Sequence, residues 1–255
     1  MQLYNGDCLE IMKDIPDKSI DMILCDLPYG TTQNKWDSVI PFNKLWLQYD
    51  RIIKNNAAIV LFSQGIFTAK LICSKEDLFK YKIIWIKSKA TGFLNAKKQP
   101  LRKHEEICVF YKNQPVFNPQ FTNGEKYNRG LVRSFEKGTY GSYKEHSSKS
   151  DGKRYPTDIC FYQDIDDFIY HKTAESEGKV YHPTQKPIGL LEYLIKTFTN
   201  EHALVLDNCM GSGSTGVAAV NTNRNFIGIE KDLKYFEIAK ERLYQAQKDK
   251  EYSLF

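Results

Sequence analysis

Two short segments carry side chains that could do chemistry together. The first is DLPYG, residues 26–30. Asp26 brings a carboxylate, Pro28 a stiff turn and Tyr29 a flat aromatic face. The exocyclic amine of a nucleobase is a poor nucleophile because its lone pair is spread into the ring. Two hydrogen-bond acceptors placed on its two N–H bonds would localise that pair on nitrogen. Asp26 and a backbone carbonyl of the adjacent turn could be those acceptors, with Tyr29 stacked on a base taken out of its helix. An Asp-x-Pro turn also arises for local reasons, so the tetrapeptide alone leaves an ordinary strand-ending turn open.

The second segment is LDNCMGSGSTG, residues 206–216, within the run ALVLDNCMGSGSTGVAAVNTNRNFIGIEKD. It reads as strand, glycine loop, helix, strand and acid. Gly211 and Gly213 would let the backbone approach a ligand, and the helix that follows presents its first amides to an anionic group. Glu230 falls at the tip of the next strand, where it could accept hydrogen bonds from ribose hydroxyls. This unit describes a nucleotide-type cofactor site, without deciding between NAD and S-adenosylmethionine; the glycine spacing alone is weak evidence.

The elements that must hold these segments follow from periodicity. Met22 to Cys25 is a short apolar run ending in Asp26, as a buried parallel strand does at its rim. A helix is expected over about 42–54, a second buried strand at AAIVLF, and a pair of β-rich segments at YKIIWIK and EICVFYK. After HPTQKP come an amphipathic helix (IGLLEYLIKTFT), the strand ALVLDNC, a helix, the strand NFIGIEKD and a long closing helix. The fold class is therefore α/β, a doubly wound and mostly parallel sheet, in which strand ends share one rim and both chemical segments face one crevice. The 255 residues are expected to form one domain, 1–255. Apolar periodicity fades between about 113 and 180, which marks an inserted functional region.

Composition narrows the class. Hydrophobic residues make up 42% of the chain, no apolar run is long enough to span a bilayer, and the N-terminal residues lack a secretory pattern, so a cytoplasmic protein without a membrane partner is expected. Six cysteines are scattered without a CxxC pair; buried free thiols are expected, with no metal and no disulfide framework. The net charge of +5 is unevenly spread. Lys82 to Lys103 contains seven basic residues and no acidic one, and Lys126 to Tyr155 interleaves basic with aromatic residues. Such stretches suit phosphate contact and base stacking, or simply a solvated surface.

Taken together and in this order, DLPYG, HPTQKP and LDNCMGSGST resemble the amino-group (N6-adenine or N4-cytosine) DNA methyltransferases of the β arrangement, in which the catalytic motif precedes the cofactor loop. The resemblance covers nearly the whole chain outside about 113–155. It implies a Rossmann-like methyltransferase fold, S-adenosylmethionine as cofactor and double-stranded DNA as partner. Asp26, Leu27, Pro28 and Tyr29 match the catalytic tetrapeptide, commonly Asp-Pro-Pro-Tyr, with the Leu27 carbonyl as the second acceptor. Asp207 through Gly213 match the cofactor loop, including Asp207 and Gly211. Glu230 matches the ribose acid, and Asp7 the residue that contacts the cofactor's adenine. His182 to Pro187 match the segment beside the methionine moiety, with Thr184 and Lys186 as carboxylate partners.

Asp at the first catalytic position is associated in this family with adenine N6, so site-specific adenine methylation is the leading expectation. The alternatives are cytosine N4 and a catalytically silent DNA-binding module; an NAD-dependent oxidoreductase would leave DLPYG unexplained. The resemblance also implies base flipping, with the basic segment KSKATGFLNAKKQPLRKHEE closing on the base or gripping phosphates, and target recognition by residues 113–155. A homodimer and a cognate restriction endonuclease complete the expected partners.

Overall fold

The computed structural model describes residues 1–30, 38–132, 134–138, 141–161, 169–170 and 185–252. The chain opens with β1 (Gln2–Asn5), a single helical turn α1 (Cys8–Ile11), β2 (Ile20–Asp26), α2 (Phe42–Ile52), β3 (Ile53–Ser63), α3 (Ile66–Cys73), β4 (Phe79–Thr91) and β5 (Arg102–Phe110). Strands β6 (Thr122–Asn123), β7 (Tyr127–Val132), β8 (Phe135–Gly138), β9 (Gly141–Tyr143), β10 (His146–Ser150) and β11 (Lys153–Arg154) come next. They are followed by β12 (Ile159–Phe161) and β13 (Ile169–Tyr170). The chain then returns through α4 (Ile188–Phe198), β14 (Leu204–Asp207), α5 (Ser214–Asn221), β15 (Asn225–Glu230) and α6 (Leu233–Tyr252).

Nine of the described strands form one sheet in the order β1-β15-β14-β2-β3-β5-β4-β12-β13. Its pairs are parallel except where β5 meets β3 and β4. Thus one strand, β5, runs against the others, because the β-rich pair read from the sequence is a hairpin. The expectation of a doubly wound, mostly parallel sheet holds.

Continuous apolar runs build the middle of the sheet. In β2 every residue from Met22 to Cys25 is fully buried, and β3 is buried from Ala57 to Ser63. Both faces are covered, as such runs require. One face packs Met22, Leu24, Val60 and Val109 against Leu190, Leu194, Ala218 and Leu243 of α4, α5 and α6. The other packs Ile23, Cys25, Ile59 and Leu61 against Met12, Leu45, Tyr49 and Phe67 from the α1, α2 and α3 side. Helix α2 buries Leu45, Trp46, Tyr49 and Ile52, the i, i+1, i+4, i+7 stripe of an amphipathic helix.

The inserted region divides in two. Strands β6 with β11, β7 with β10 and β8 with β9 are antiparallel pairs nested inside one another, so the described residues within 122–154 follow the course of one long two-stranded arm. Strands β12 and β13 instead rejoin the central sheet beside β4. The root of the arm is anchored by Asn118, whose Nδ2 donates to the carbonyls of Lys196 and Thr199 at the end of α4.

Among the described residues, no helix is long and apolar enough to cross a membrane. Of the six cysteines, Cys8, Cys25, Cys108 and Cys160 are buried, as expected. Cys73 is exposed and Cys209 half-buried, because Cys73 ends α3 at the surface and Cys209 lies in the glycine loop.

Candidate active site

The sheet order changes direction between β2 and β14: β2 leads on to β3 and β14 to β15, on opposite sides. Loops leaving the two strands part at such a point and open a crevice. Asp26 ends β2, Asp207 ends β14 and Glu230 ends β15, so the fold brings three of the sequence-identified acids to one rim.

In the tetrapeptide of residues 26–29, Tyr29 Oη donates to Asp26 Oδ1 at 2.7 Å, and the Tyr29 ring lies 4.8 Å from that of Phe67, tilted by 34°. Leu27, at 3% exposure, is sunk into the core beneath the turn. A buried side chain therefore fixes the turn where the common pattern has a second proline. Gly30 closes it with φ of 67°, a left-handed value that favours glycine.

The second oxygen of Asp26 meets a cation the sequence placed elsewhere. Lys186 Nζ donates to Asp26 Oδ2 at 2.6 Å, lies 3.3 Å from Glu105 Oε2 and sits over the Phe62 ring. Expected at the cofactor's carboxylate, Lys186 is here buried between two carboxylates of the chain itself. Its neighbour Gln185 faces the glycine loop and accepts from Ser212 Oγ at 3.4 Å. Thr184 lies outside the described residues, as do His182 and Pro183.

Burial pushes the Asp26 carboxyl above its ordinary range; Lys186 pulls it back and Glu105 adds repulsion. For Glu105 burial is outweighed by Lys186 and Lys87, and its carboxyl stays low. Burial also opposes the charge on Lys186, but the two flanking carboxylates raise its pKa nonetheless.

The glycine loop is held from three sides. Gly211 N–H donates to Glu230 Oε2 at 2.9 Å, and Asp232 N–H to Glu230 Oε1 at 2.8 Å. Arg242 of α6 reaches the Ser212 carbonyl at 2.5 Å, and Tyr49 Oη donates to Asn208 Oδ1 at 2.5 Å. Asp207 accepts the Cys209 amide at 3.1 Å, and burial lifts its carboxyl from 3.8 to about 6. Gly213 has φ of 81°, and a Cβ there would stand 2.9 Å from the Cβ of Ala239. On that side the close approach is to α6 of the same chain.

Asp7 caps α1 by accepting the Leu9 amide and pairs with Lys231 at 3.1 Å; these contacts outweigh its partial burial and lower its pKa. The loop Asn5–Asp7 adjoins the end of β15, where Gly6 N–H donates to the Glu230 carbonyl. Asp7, Glu230 and the glycine loop therefore adjoin one another at the rim, with Asp26 at the end of β2, the neighbour of β14.

Sequence reasoning passed over Glu105, Lys87, Gln185 and Arg242. Glu105 lies near the beginning of β5, and a search of strand C-termini misses it; because β5 is reversed, its beginning reaches the rim that carries Asp26. The β4–β5 hairpin carries the basic run to an exposed tip, where Phe93 and Leu94 are 76% and 84% exposed.

A family model for DNA methylases matches residues 20–241. Among curated proteins, the chain is 28% identical to the Type II methyltransferase M2.MboI of Moraxella bovis, over 95% of this chain and 87% of that one. It is 27% identical to the DNA adenine methyltransferase YhdJ of Escherichia coli K12, over 94% and 82%. Among solved structures, the complex of M1.HpyAVI with S-adenosylmethionine superposes with a TM-score of 0.62 at 28% identity, covering 95% of this chain and 99% of that one.

Proposed function

The chain belongs to the DNA methylase family that acts on N6 and N4 amino groups, and on that premise we propose that it methylates adenine N6 at specific sites in double-stranded DNA, using S-adenosylmethionine. The observation that carries this reading is the position of Asp26, whose carboxylate stands across the switch point from the glycine loop with both oxygens already oriented by Tyr29 and Lys186. Adenine is favoured over cytosine by the acid at that position and by the similarity to the DNA adenine methyltransferase of Escherichia coli.

The donor set fits S-adenosylmethionine. The Glu230 carboxylate, clamped by two backbone amides, suits ribose hydroxyls, and the Asp7 carboxylate suits an adenine amine. Asp207, Gly211 and Gly213 shape the loop between them. Thr184 and Gln185 complete the methionine end of the reading. Bound there, the cofactor supplies an electrophilic methyl group on a sulfonium.

The rest is the chain's own work. Asp26 and the Leu27 carbonyl accept the two N–H bonds of the flipped base, which gathers the amine's lone pair on nitrogen. Each Asp26 oxygen has a second lone pair left after its internal bond. Tyr29 presents ring surface to the base, and Pro28 stiffens the turn. Holding the reactants in line supplies much of the acceleration. The basic β4–β5 hairpin grips phosphates beside the flipped base, and the arm of residues 122–154 reads the target in the groove, as two-stranded ribbons do.

Duplex DNA of mixed sequence is incubated with methyl-labelled S-adenosylmethionine and digested to nucleosides for mass spectrometry. Labelled N6-methyladenine is expected; N4-methylcytosine would keep the mechanism and overturn the base, and unlabelled DNA would remove the reading. A cognate restriction endonuclease, a homodimer and a cytoplasmic setting belong to the same proposal. Protection of modified DNA from cleavage and light scattering of the purified protein test the first two.

A further inference from the structure

Asp26 is the end of a row of alternating buried charges. Lys87 Nζ of β4 lies 3.1 Å from Glu105 Oε1, and Lys186 Nζ lies 3.3 Å from Glu105 Oε2 and 2.6 Å from Asp26 Oδ2. The side chains of Lys87 and Lys186 are each 9% exposed, that of Glu105 14%. Buried charges cost several kcal/mol each in desolvation and persist only when well paired. Here one ammonium is divided unequally between two carboxylates. Its bond to Asp26 is short, while Glu105 Oε2 accepts no hydrogen bond in good geometry although it is buried.

Resting on the methyltransferase reading above, we propose that Lys186 and Glu105 are positioning residues that set how strongly Asp26 accepts the N–H of the target amine. A desolvated carboxylate without a cation would take up a proton and turn from acceptor to donor. One with an ammonium to itself would give most of its charge to that partner. Lys186 prevents the first and Glu105 the second, by sharing the same ammonium. The link reaches the cofactor end as well, because Gln185, adjacent in sequence, holds Ser212 of the glycine loop.

The groups that face Asp26 define the expected titration. Tyr29 and Cys25 come from its own segment, Lys186 from the start of α4, Glu105 from β5 with Lys87 behind it, and Asp207 from β14. Replacing Lys186 by Met leaves Asp26 facing burial and Glu105 unopposed. The acid limb of kcat/KM for DNA should move to higher pH, and kcat at neutral pH should fall by ~10²-fold through lost positioning. Glu105→Gln is nearly isosteric and gives Lys186 wholly to Asp26, so the limb should move to lower pH. Lys186→Arg keeps the charge, and its limb should stay near the wild-type position.

The experiment measures these pH profiles with saturating S-adenosylmethionine, together with the 13C titration of the Asp26 carboxyl in the DNA-free protein and calorimetric cofactor affinity. Opposite displacements for Lys186→Met and Glu105→Gln, with cofactor affinity retained, are expected; general damage to the fold would not produce opposite signs. Weakened cofactor binding in Lys186→Met with an unmoved limb would overturn the proposal and return Lys186 to the cofactor's carboxylate. Should Lys186→Met fail to fold, the Asp26 titration in Glu105→Gln decides, and no downward movement overturns the proposal. Wild-type protein that transfers no methyl group to DNA would instead remove the reading beneath it.

Discussion

Asp26 and Asp207 are both strand-ending acids at one rim, yet their surroundings give them different work. Asp26 is bound by a phenol and an ammonium; Asp207 is bound by the Thr215 side chain, the Cys209 amide and the Cys25 thiol and is buried to 3% exposure. Asp26→Ala should abolish methyl transfer while calorimetry shows cofactor affinity intact, whereas Glu230→Ala should weaken that affinity; full activity of the first variant would remove Asp26 from the chemistry. For Asp207 burial also has a consequence for stability. Its folded carboxyl is lifted from 3.8 to about 6, so the folded state binds the proton more tightly than the unfolded chain. Stability therefore falls as pH rises through this window, by up to about 3 kcal/mol, and the penalty is complete above pH 6. Asp207→Asn, which keeps an acceptor for the Cys209 amide, should raise the melting temperature at pH 7.5 and lose its advantage near pH 4. A gain that is the same at both values would show that burial of the charge is not the cause. The acids at strand ends were legible because residue type and strand position coincide there. Lys186 was legible as important but not as Asp26's partner, since only the fold turns Gln185 and Lys186 to opposite sides.

At the scale of elements, the strands and helices with strong periodicity stand where the sequence puts them: the buried run before Asp26, the stripe of α2, and the closing helix α6. What periodicity lacked was direction. YKIIWIK and EICVFYK are plainly β-rich, but their antiparallel pairing depends on the turn between them, which brings Glu105 and the basic run to the active rim. In the glycine loop, spacing marked Gly213, and the fold adds a close packing of that glycine on Ala239 that the sequence did not show. The β4–β5 hairpin tests the electrostatic part of the reading. Lys97 and Lys98 stand exposed at its tip. If they meet phosphates, Lys97→Ala with Lys98→Ala should weaken DNA binding across all sequences and reduce the slope of log affinity against log salt by about 2. Fluorescence anisotropy over a salt series measures both quantities, and an unchanged slope would place the tip away from the DNA backbone.

For the whole molecule, the question is how separable recognition is from catalysis. The sheet, its two layers of helices and the rim acids form a body whose cores, on either face, draw on none of the described residues within 122–154. The arm holds itself together through its own contacts: Arg154 stacks over Tyr127 and donates to the Glu125 carbonyl, and Phe121 meets Tyr155 at 4.9 Å across its root. The sequence marked this region by fading apolar periodicity, but it could not show that β12 and β13 leave the arm and join the sheet, because short strands at a sheet edge carry too few residues for a pattern. Since the strands at the root already run side by side, replacing residues 122–154 by a short Gly/Asn turn should close the gap between Phe121 and Tyr155 with little strain. The shortened protein should unfold cooperatively and bind S-adenosylmethionine as the full chain does, while site-specific methylation is lost and any residual transfer spreads over unrelated sequences. Calorimetry and sequencing of methylated positions read the two properties separately. Retained site specificity would move target recognition out of the arm and onto the β4–β5 hairpin and the rim.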